Sequence, residues 1–213
     1  MRRSEPRQKS IESIVAALRR DTCRSSMMTF PSEPADPQAS SSASVDEHRR
    51  ESPVSVTCAV LTISDTRTKE TDRSGEVIRQ NLLWRGHEVL AYEVVPDDPN
   101  AIRQLLLSWI DREDIQAVIT NGGTGISGRD TTYEAIEALL EKQLTGFGEL
   151  FRMLSYGEIG AAAMLSRAVA GVAKGTAIFS TPGSSNAAKL AMEKLIGPEL
   201  GHVVHELTKS LAT

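Results

Sequence analysis

Residues Thr120–Ala135 read TNGGTGISGRDTTYEA. The apolar run Ala117-Val118-Ile119 leads into the stretch, and glycines at Gly122, Gly123 and Gly125 follow. Arg129 and Asp130 then stand before a helix start, where Thr131 and Glu134 have the S/T-x-x-E spacing of a capping box. The order is strand, glycine loop, helix N-terminus. Such a junction offers backbone N–H groups and a positive dipole end to an anion, usually a phosphate. A carboxylate at its mouth can cap the helix or hold a metal that escorts the phosphate.

Upstream, Cys58–Ile63 is a near-continuous apolar run, the pattern of a strand buried on both faces. Asp72-Arg73-Ser74-Gly75 precedes a helix carrying Val77, Ile78 and Leu82 on one side and closed by Gly86. Glu88–Val95 reads as a second strand and Pro96-Asp97-Asp98-Pro99 as a turn. Asp98 before Pro99 is an N-cap followed by a first-turn proline. Ile102, Leu105, Leu106, Trp109 and Ile110 then recur at helical spacing, and Ile115–Thr120 is the third strand.

Downstream, Ile136, Leu139 and Leu140 form one helix face, which Gly146-Phe147-Gly148 is expected to interrupt. Ser155–Glu158 repeats the capping-box spacing before a helix of small residues, Ile159–Leu165. Val169–Val172 and Thr176–Phe179, separated by Lys174-Gly175, suit an antiparallel pair. Thr181-Pro182-Gly183-Ser184-Ser185 is a second strand–loop–helix junction. The following helix, Asn186–Ile196, should stop at Gly197-Pro198 before a last helix over Glu199–Leu211.

This alternation predicts an α/β domain: three layers, a mostly parallel sheet with helices on both faces, and a short antiparallel hairpin. Ligands bind such sheets outside the C-terminal strand ends. The turns at Ser64-Asp65, Asp97, Gly122–Asp130 and Pro182–Ser184 are therefore expected on one rim.

The chain has 213 residues, 40% of them hydrophobic but only 4% aromatic, so the core must be aliphatic. A formal charge of −4 argues against nucleic acid as a partner. Cys23 and Cys58 suggest neither a disulfide framework nor a zinc site. No apolar run approaches the ~20 residues of a membrane span, and Ile14–Leu18 is too short for a secretory core. A cytoplasmic protein with no membrane partner is expected. Residues 1–52 differ in kind from the folded domain expected over 53–213. Ile11–Arg20 could form a basic helix, and Ser25–Ser44, rich in Ser, Pro, Ala and Asp, reads as a disordered extension. Met27 or Met28 could mark the true start.

Gly123-Thr-Gly125-Ile-Ser-Gly128 spells G-x-G-x-x-G, the dinucleotide fingerprint. It follows the third strand rather than the first, and no acid-bearing strand follows ~20 residues on. No Walker pattern and no G-x-S-x-G elbow occurs. Asp97 can be turn chemistry and Asp130 a helix-dipole charge; alternatively both are metal ligands. Asp98 is accounted for by capping. His202 and His205 fit a solvated helix face, and Ser166-Arg167 is either an anion contact or a helix end.

Several motifs in order carry a resemblance: Thr120–Gly125 with Arg129-Asp130, Thr132–Ala135, Gly146–Glu149, Ser155–Gly160, Leu165–Ala168 and Pro182–Ser184. Together, over about Val54–Leu207, they resemble the molybdenum cofactor biosynthesis family, the MoaB/Mog proteins, with the gephyrin G domain similar. Gly146–Gly171 looks closer to the MoaB branch. The resemblance implies a domain of the molybdopterin-binding type that adenylylates molybdopterin with Mg-ATP and releases pyrophosphate. It assigns Asp97 and Asp130 as catalytic residues and Mg²⁺ ligands. Substrate and nucleotide contacts fall to Ser64, Asp65, Gly122, Gly123, Thr124, Gly125, Ser166, Arg167, Pro182, Gly183 and Ser184. It further implies a homotrimer or homohexamer. Tyr133 and Ser185 stand where relatives often have proline. A non-catalytic molybdopterin-binding protein of the same fold and a nicotinamide-dependent oxidoreductase are the alternatives.

Overall fold

The computed structural model describes residues 55–128 and 130–209. The expectations for 1–52, Arg129 and the end of the last helix lie outside them. Six strands form one sheet in the order β2-β1-β3-β6-β5-β4. They are β1 (Thr57–Ile63), β2 (Glu88–Val95), β3 (Ala117–Asn121), β4 (Lys142–Gln143), β5 (Val169–Ala173) and β6 (Thr176–Thr181). β1, β2, β3 and β6 run parallel; β5 is antiparallel to both β6 and β4. The helices are α1 (Arg73–Trp84), α2 (Pro99–Ile110), α3 (Thr132–Glu137), α4 (Thr145–Ile159), α5 (Ser185–Ala191) and α6 (Gly197–Thr208).

The apolar runs explain the layers. β1, β3, β5 and β6 are buried on both faces, so successive side chains feed two cores. Val60, Ile119 and Phe179 join Ile78 and Leu82 of α1, Phe151 of α4 and Leu200 of α6 on one face. Leu61, Val118 and Ile178 join Ile102 and Leu106 of α2 and Ile136 of α3 on the other. The expected three-layer, mostly parallel architecture with an antiparallel hairpin is what forms. Lys174, with φ of 46°, and Gly175, with φ of 85°, make the hairpin turn in the left-handed region its twist requires.

Local signals held where one hydrogen bond decides the matter. Asp98 Oδ1 accepts from the N–H groups of Asn100 and Ala101, with Pro99 opening α2. Asp72 caps α1 by accepting from Gly75 N. Five local expectations failed. Thr131 and Glu134 form no capping box: the Thr131 side chain makes no cap bond and Glu134 pairs with Arg167. Gly146-Phe147-Gly148 and Ser155–Glu158 do not delimit helices either, because α4 runs unbroken from Thr145 to Ile159. Burial of Phe147 and Phe151 under the sheet outweighs the weak propensity of its glycines. Of the expected small-residue helix, Ile159 ends α4 and Gly160–Leu165 forms only a 3₁₀ turn. Gly197-Pro198 does not stop the C-terminal helix. A π turn over Met192–Ile196 lets Gly197 N donate to Met192 O, five residues back, and the chain continues into α6. That wider turn relieves the clash proline otherwise makes with the preceding turn. The two-residue β4 was too short to be read at all.

Topology positions the site. The chain leaves β1 to one side for β2, then returns to the other side for β3. The gap between β1 and β3 is therefore the topological switch point, where open α/β sheets bind ligands. Thr62, Asn121 and Thr181 are level across β1, β3 and β6, so the turns that follow leave the sheet together.

Candidate functional site

Backbone contacts bring the turns into one rim. Ser64 N donates to Val95 O at 2.8 Å, which ties the turn after β1 to the end of β2. Gly122 N donates to Thr181 O at 3.1 Å, which ties the glycine loop to the end of β6. Gly122 has φ of 98°, and a Cβ there would overlap the carbonyl of Ile63. Gly183 closes from the third side: its Cβ would lie 3.0 Å from Gly122 Cα. Only glycines allow three backbones to meet this closely.

A cleft of about 530 Å³ opens over this junction. Of the sequence-predicted residues, Ser64, Gly122, Gly123, Thr124, Gly125, Ser166, Pro182, Gly183 and Ser184 line it. The N–H of Gly122 is engaged with Thr181 and is not a ligand donor. Among the described residues, the N–H groups of Gly123, Thr124 and Gly125 donate to no protein acceptor. α3 has six residues, so its dipole is small, and any anion held here depends on the loop N–H groups themselves.

Asp65, Asp97, Asp130 and Arg167 do not line this cleft; the last three brace the glycine loop, and Asp65 holds the turn that carries Asp97. Asp97 N donates to Asp65 Oδ1 at 3.0 Å. Asp97 Oδ1 accepts from the hydroxyls of Thr131 at 3.3 Å and Thr132 at 3.2 Å. Its Oδ2 faces Gly123, whose φ is 61° and whose Cβ would lie 2.7 Å from that oxygen. Asp130 Oδ2 accepts from Ser127 N at 2.9 Å and Ser127 Oγ at 2.5 Å, and packs 2.5 Å from where a Gly125 Cβ would stand. Asp130 therefore closes the loop on itself instead of capping α3. Burial raises the carboxyl pKa of Asp97 above the usual aspartate range, against hydrogen bonds from Thr132 and Thr131, and the charge of Asp130 raises it further. A carboxyl whose ionisation is opposed by burial and by a neighbouring carboxylate is one that a cation would favour. No cluster of three or more His, Cys, Asp or Glu able to hold a metal occurs among the described residues. A hard ion such as Mg²⁺ keeps several waters and takes one or two carboxylates together with substrate phosphate, so a pair of aspartates fits it.

Arg167 follows the 3₁₀ turn and reaches back to the loop. Its Nε donates to Thr124 O at 2.9 Å and its Nη2 to Gly125 O at 2.5 Å. Nη1 pairs with Glu134. The guanidinium lies 4.8 Å over the Tyr133 ring, which serves as its platform. Of the two expectations for Ser166-Arg167, Ser166 lines the cleft while Arg167 clamps the loop. Ser184 also has a local duty, capping α5 by accepting from Ala187 N at 3.0 Å. His202 pairs with Glu199 on its own helix. Burial pushes the Cys58 thiol up to about 12, so it offers no thiolate for catalysis or metal.

Motif reading missed Thr66 and Arg67, which also line the cleft. Beneath them lies a polar network. Ser74 Oγ is 2.7 Å from Asn121 Oδ1 and 3.0 Å from Asp72 Oδ1, Asn121 Nδ2 donates to Thr62 Oγ1, and Tyr92 OH donates to Asp72 Oδ2 at 2.7 Å. Burial pushes the Asp72 carboxyl up, but hydrogen bonds from Gly75 N, Thr62, Tyr92 and Ser74 outweigh it and hold the pKa below the ordinary value. Asp72 is thus a buried, charged anchor under the rim.

A switch-point cleft, glycine-loop donors and a flanking carboxylate pair give an α/β domain whose rim is suited to a phosphate-bearing ligand. Residues 59–202 match the family described as "Probable molybdopterin binding domain". Molybdenum cofactor biosynthesis protein B of Bacillus subtilis is 56% identical over 167 residues, which cover 78% of this chain and 98% of that protein. A crystal structure of a molybdenum cofactor biosynthesis protein B superposes with a TM-score of 0.72 at 54% identity, covering 74% of this chain and 98% of that one. The tungsten cofactor synthesizing protein MoaB from Pyrococcus furiosus gives 0.66 at 37% identity, covering 73% and 98%. The chain belongs to the molybdopterin-binding-domain family of molybdenum cofactor biosynthesis proteins, on the MoaB side of it. No helix among the described residues is long and apolar enough to cross a membrane.

Proposed function

We propose that within molybdenum cofactor biosynthesis this protein adenylylates molybdopterin, using Mg-ATP and releasing pyrophosphate. One observation carries the reading: Asp97 and Asp130 pack against the same glycine loop whose N–H groups at Gly123, Thr124 and Gly125 have no protein acceptor. Phosphoryl-type transfer asks a protein mainly for positioning and charge neutralisation. Loop N–H groups hold phosphate oxygens, and the two aspartates hold Mg²⁺. When bound, Mg²⁺ neutralises the triphosphate and the departing pyrophosphate. The Gly183-Ser184 turn shapes the opposite wall. With a formal charge of −4, the protein cannot gather two polyanions by its overall field, so local donors and a cation must do so.

Asp130→Asn is expected to lower pyrophosphate release by orders of magnitude in an assay with molybdopterin and Mg-ATP, with the melting temperature nearly unchanged. Near-wild-type rates in that variant would remove the aspartate from the chemistry. No pyrophosphate from the wild-type protein, with molybdopterin binding intact, would instead make it a binding protein of this fold.

A homotrimer or paired-trimer homohexamer is part of the same proposal. Leu150, Met153, Tyr156, Ile159, Met164 and Leu165 leave α4 and its 3₁₀ turn with a large exposed apolar face, of the kind that marks an interaction surface.

A further inference from the structure

Arg67 is the one charged residue among the described residues lining the cleft. Its guanidinium is held from two sides. Nη1 donates to Ser74 Oγ at 2.5 Å and to Gly183 O at 3.0 Å, which joins the turn after β1 to the turn after β6. The same nitrogen lies 3.7 Å from Asp72 Oδ1. That carboxylate is fully buried and already accepts from Ser74, Gly75 and Tyr92. It therefore attracts the guanidinium without forming the two-pronged pair that would occupy it. An arginine has five N–H groups. The two on Nη1 have protein acceptors; Nε and Nη2 have none among the described residues. The side chain is one-third exposed, at 32%. A purely structural arginine would turn its planar fork onto Asp72. Here the network immobilises one nitrogen and leaves the N–H groups of the other two without a protein acceptor among the described residues, on a side chain that lines the cleft.

We infer that Arg67 is a specificity-determining residue that receives a phosphate group of the ligand through its Nε and Nη2 N–H groups. A planar fork matches phosphate oxygens in a way that an ammonium does not. The cleft is then polarised, with a guanidinium on one side and the Asp97–Asp130 pair behind the glycine loop on the other. A dianionic monoester suits the first and a metal-escorted polyphosphate suits the second. The inference rests on the proposed substrates, molybdopterin with its phosphate monoester and ATP, but its test reads binding alone.

Wild type, Arg67→Met and Arg67→Lys are titrated calorimetrically with molybdopterin, dephosphorylated molybdopterin, Mg-ATP and adenosine. Loss of the fork is expected to weaken one phosphorylated member about 10- to 100-fold, the range for charged hydrogen bonds. Its phosphate-free counterpart should bind Arg67→Met as it binds wild type, and Arg67→Lys should lie between. The pair affected tells which phosphate Arg67 holds. Equal weakening within a pair would show a structural tie only, and unchanged affinities for all four would also overturn the assignment. Should Arg67→Met fail to unfold cooperatively, the same comparison is made with Arg67→Lys. Pyrophosphate release by wild type is measured in parallel. Its absence beside a phosphate-selective loss would remove the adenylyl transfer and leave Arg67 in place.

Discussion

Asp97 shows how one side chain can be read two ways and be both. Beside proline it is turn chemistry, and its N–H does bond to Asp65. Its carboxylate nevertheless faces the glycine loop, where burial first, and Asp130 last, raise its pKa. The sign of the pH effect follows. A carboxyl whose folded pKa lies above its unfolded value stabilises the fold most below the unfolded pKa, and that contribution is lost as pH rises through the folded pKa. A divalent cation needs the ionised form, so its affinity should fall as pH drops through the same raised value. Melting temperatures measured against pH, with and without Mg²⁺, are expected to show the Mg²⁺ increment fading at a higher pH than an ordinary aspartate would give. Asp97→Asn should abolish the increment while leaving the metal-free protein at least as stable near neutrality. A Mg²⁺ increment that persists in Asp97→Asn would exclude that side chain as a ligand. Asp98, its neighbour, was fully legible as a cap because one local hydrogen-bond pattern decides it.

At the scale of elements, the glycine loop owes its shape to a residue about forty positions away. Arg167 binds the carbonyls of Thr124 and Gly125, pairs with Glu134 of α3 and rests on Tyr133. Holding the carbonyls turns the loop in one sense and leaves the N–H groups for a ligand. Arg167→Met should therefore speed amide hydrogen exchange at Gly122 and Ser127, the hydrogen-bonded amides flanking that segment of the loop, several-fold in the ligand-free protein, for about 1 kcal/mol of lost hydrogen bonding. Were Arg167 only an anion contact, ligand-free exchange would not change. The apparent capping box at Thr131-x-x-Glu134 failed for the same reason: Arg167 and Asp97 compete for its two side chains and win. The continuous α4 and the π turn before Pro198 show tertiary burial overriding glycine and proline punctuation.

At the scale of the whole molecule, the exposed face of α4 and its 3₁₀ turn ends at Leu165, which also lines the cleft. Met153, 62% exposed, belongs to that face. If the proposed homotrimer or homohexamer forms through this face, Met153→Glu should leave monomers by light scattering, with the circular dichroism spectrum retained. An unchanged mass would place the self-association surface elsewhere. A hydrophobic face of this kind is visible only after folding, because the same residues at the same spacing could have packed inside the domain.

The strands, the alternation with helices and the glycine loop were legible because each depends on local periodicity or a short motif, whereas Asp97 and Asp130 were paired only by the family resemblance. Apolar runs must be buried, and glycines must stand where backbones meet. Strand order, the switch point between β1 and β3, and the meeting of Ile63, Gly122 and Gly183 depend on pairing across long sequence separations, which no local pattern encodes. The tertiary structure alone gave Arg167 to the loop and left Arg67 facing the cleft, since the acceptors that hold them lie 42 and 116 residues away.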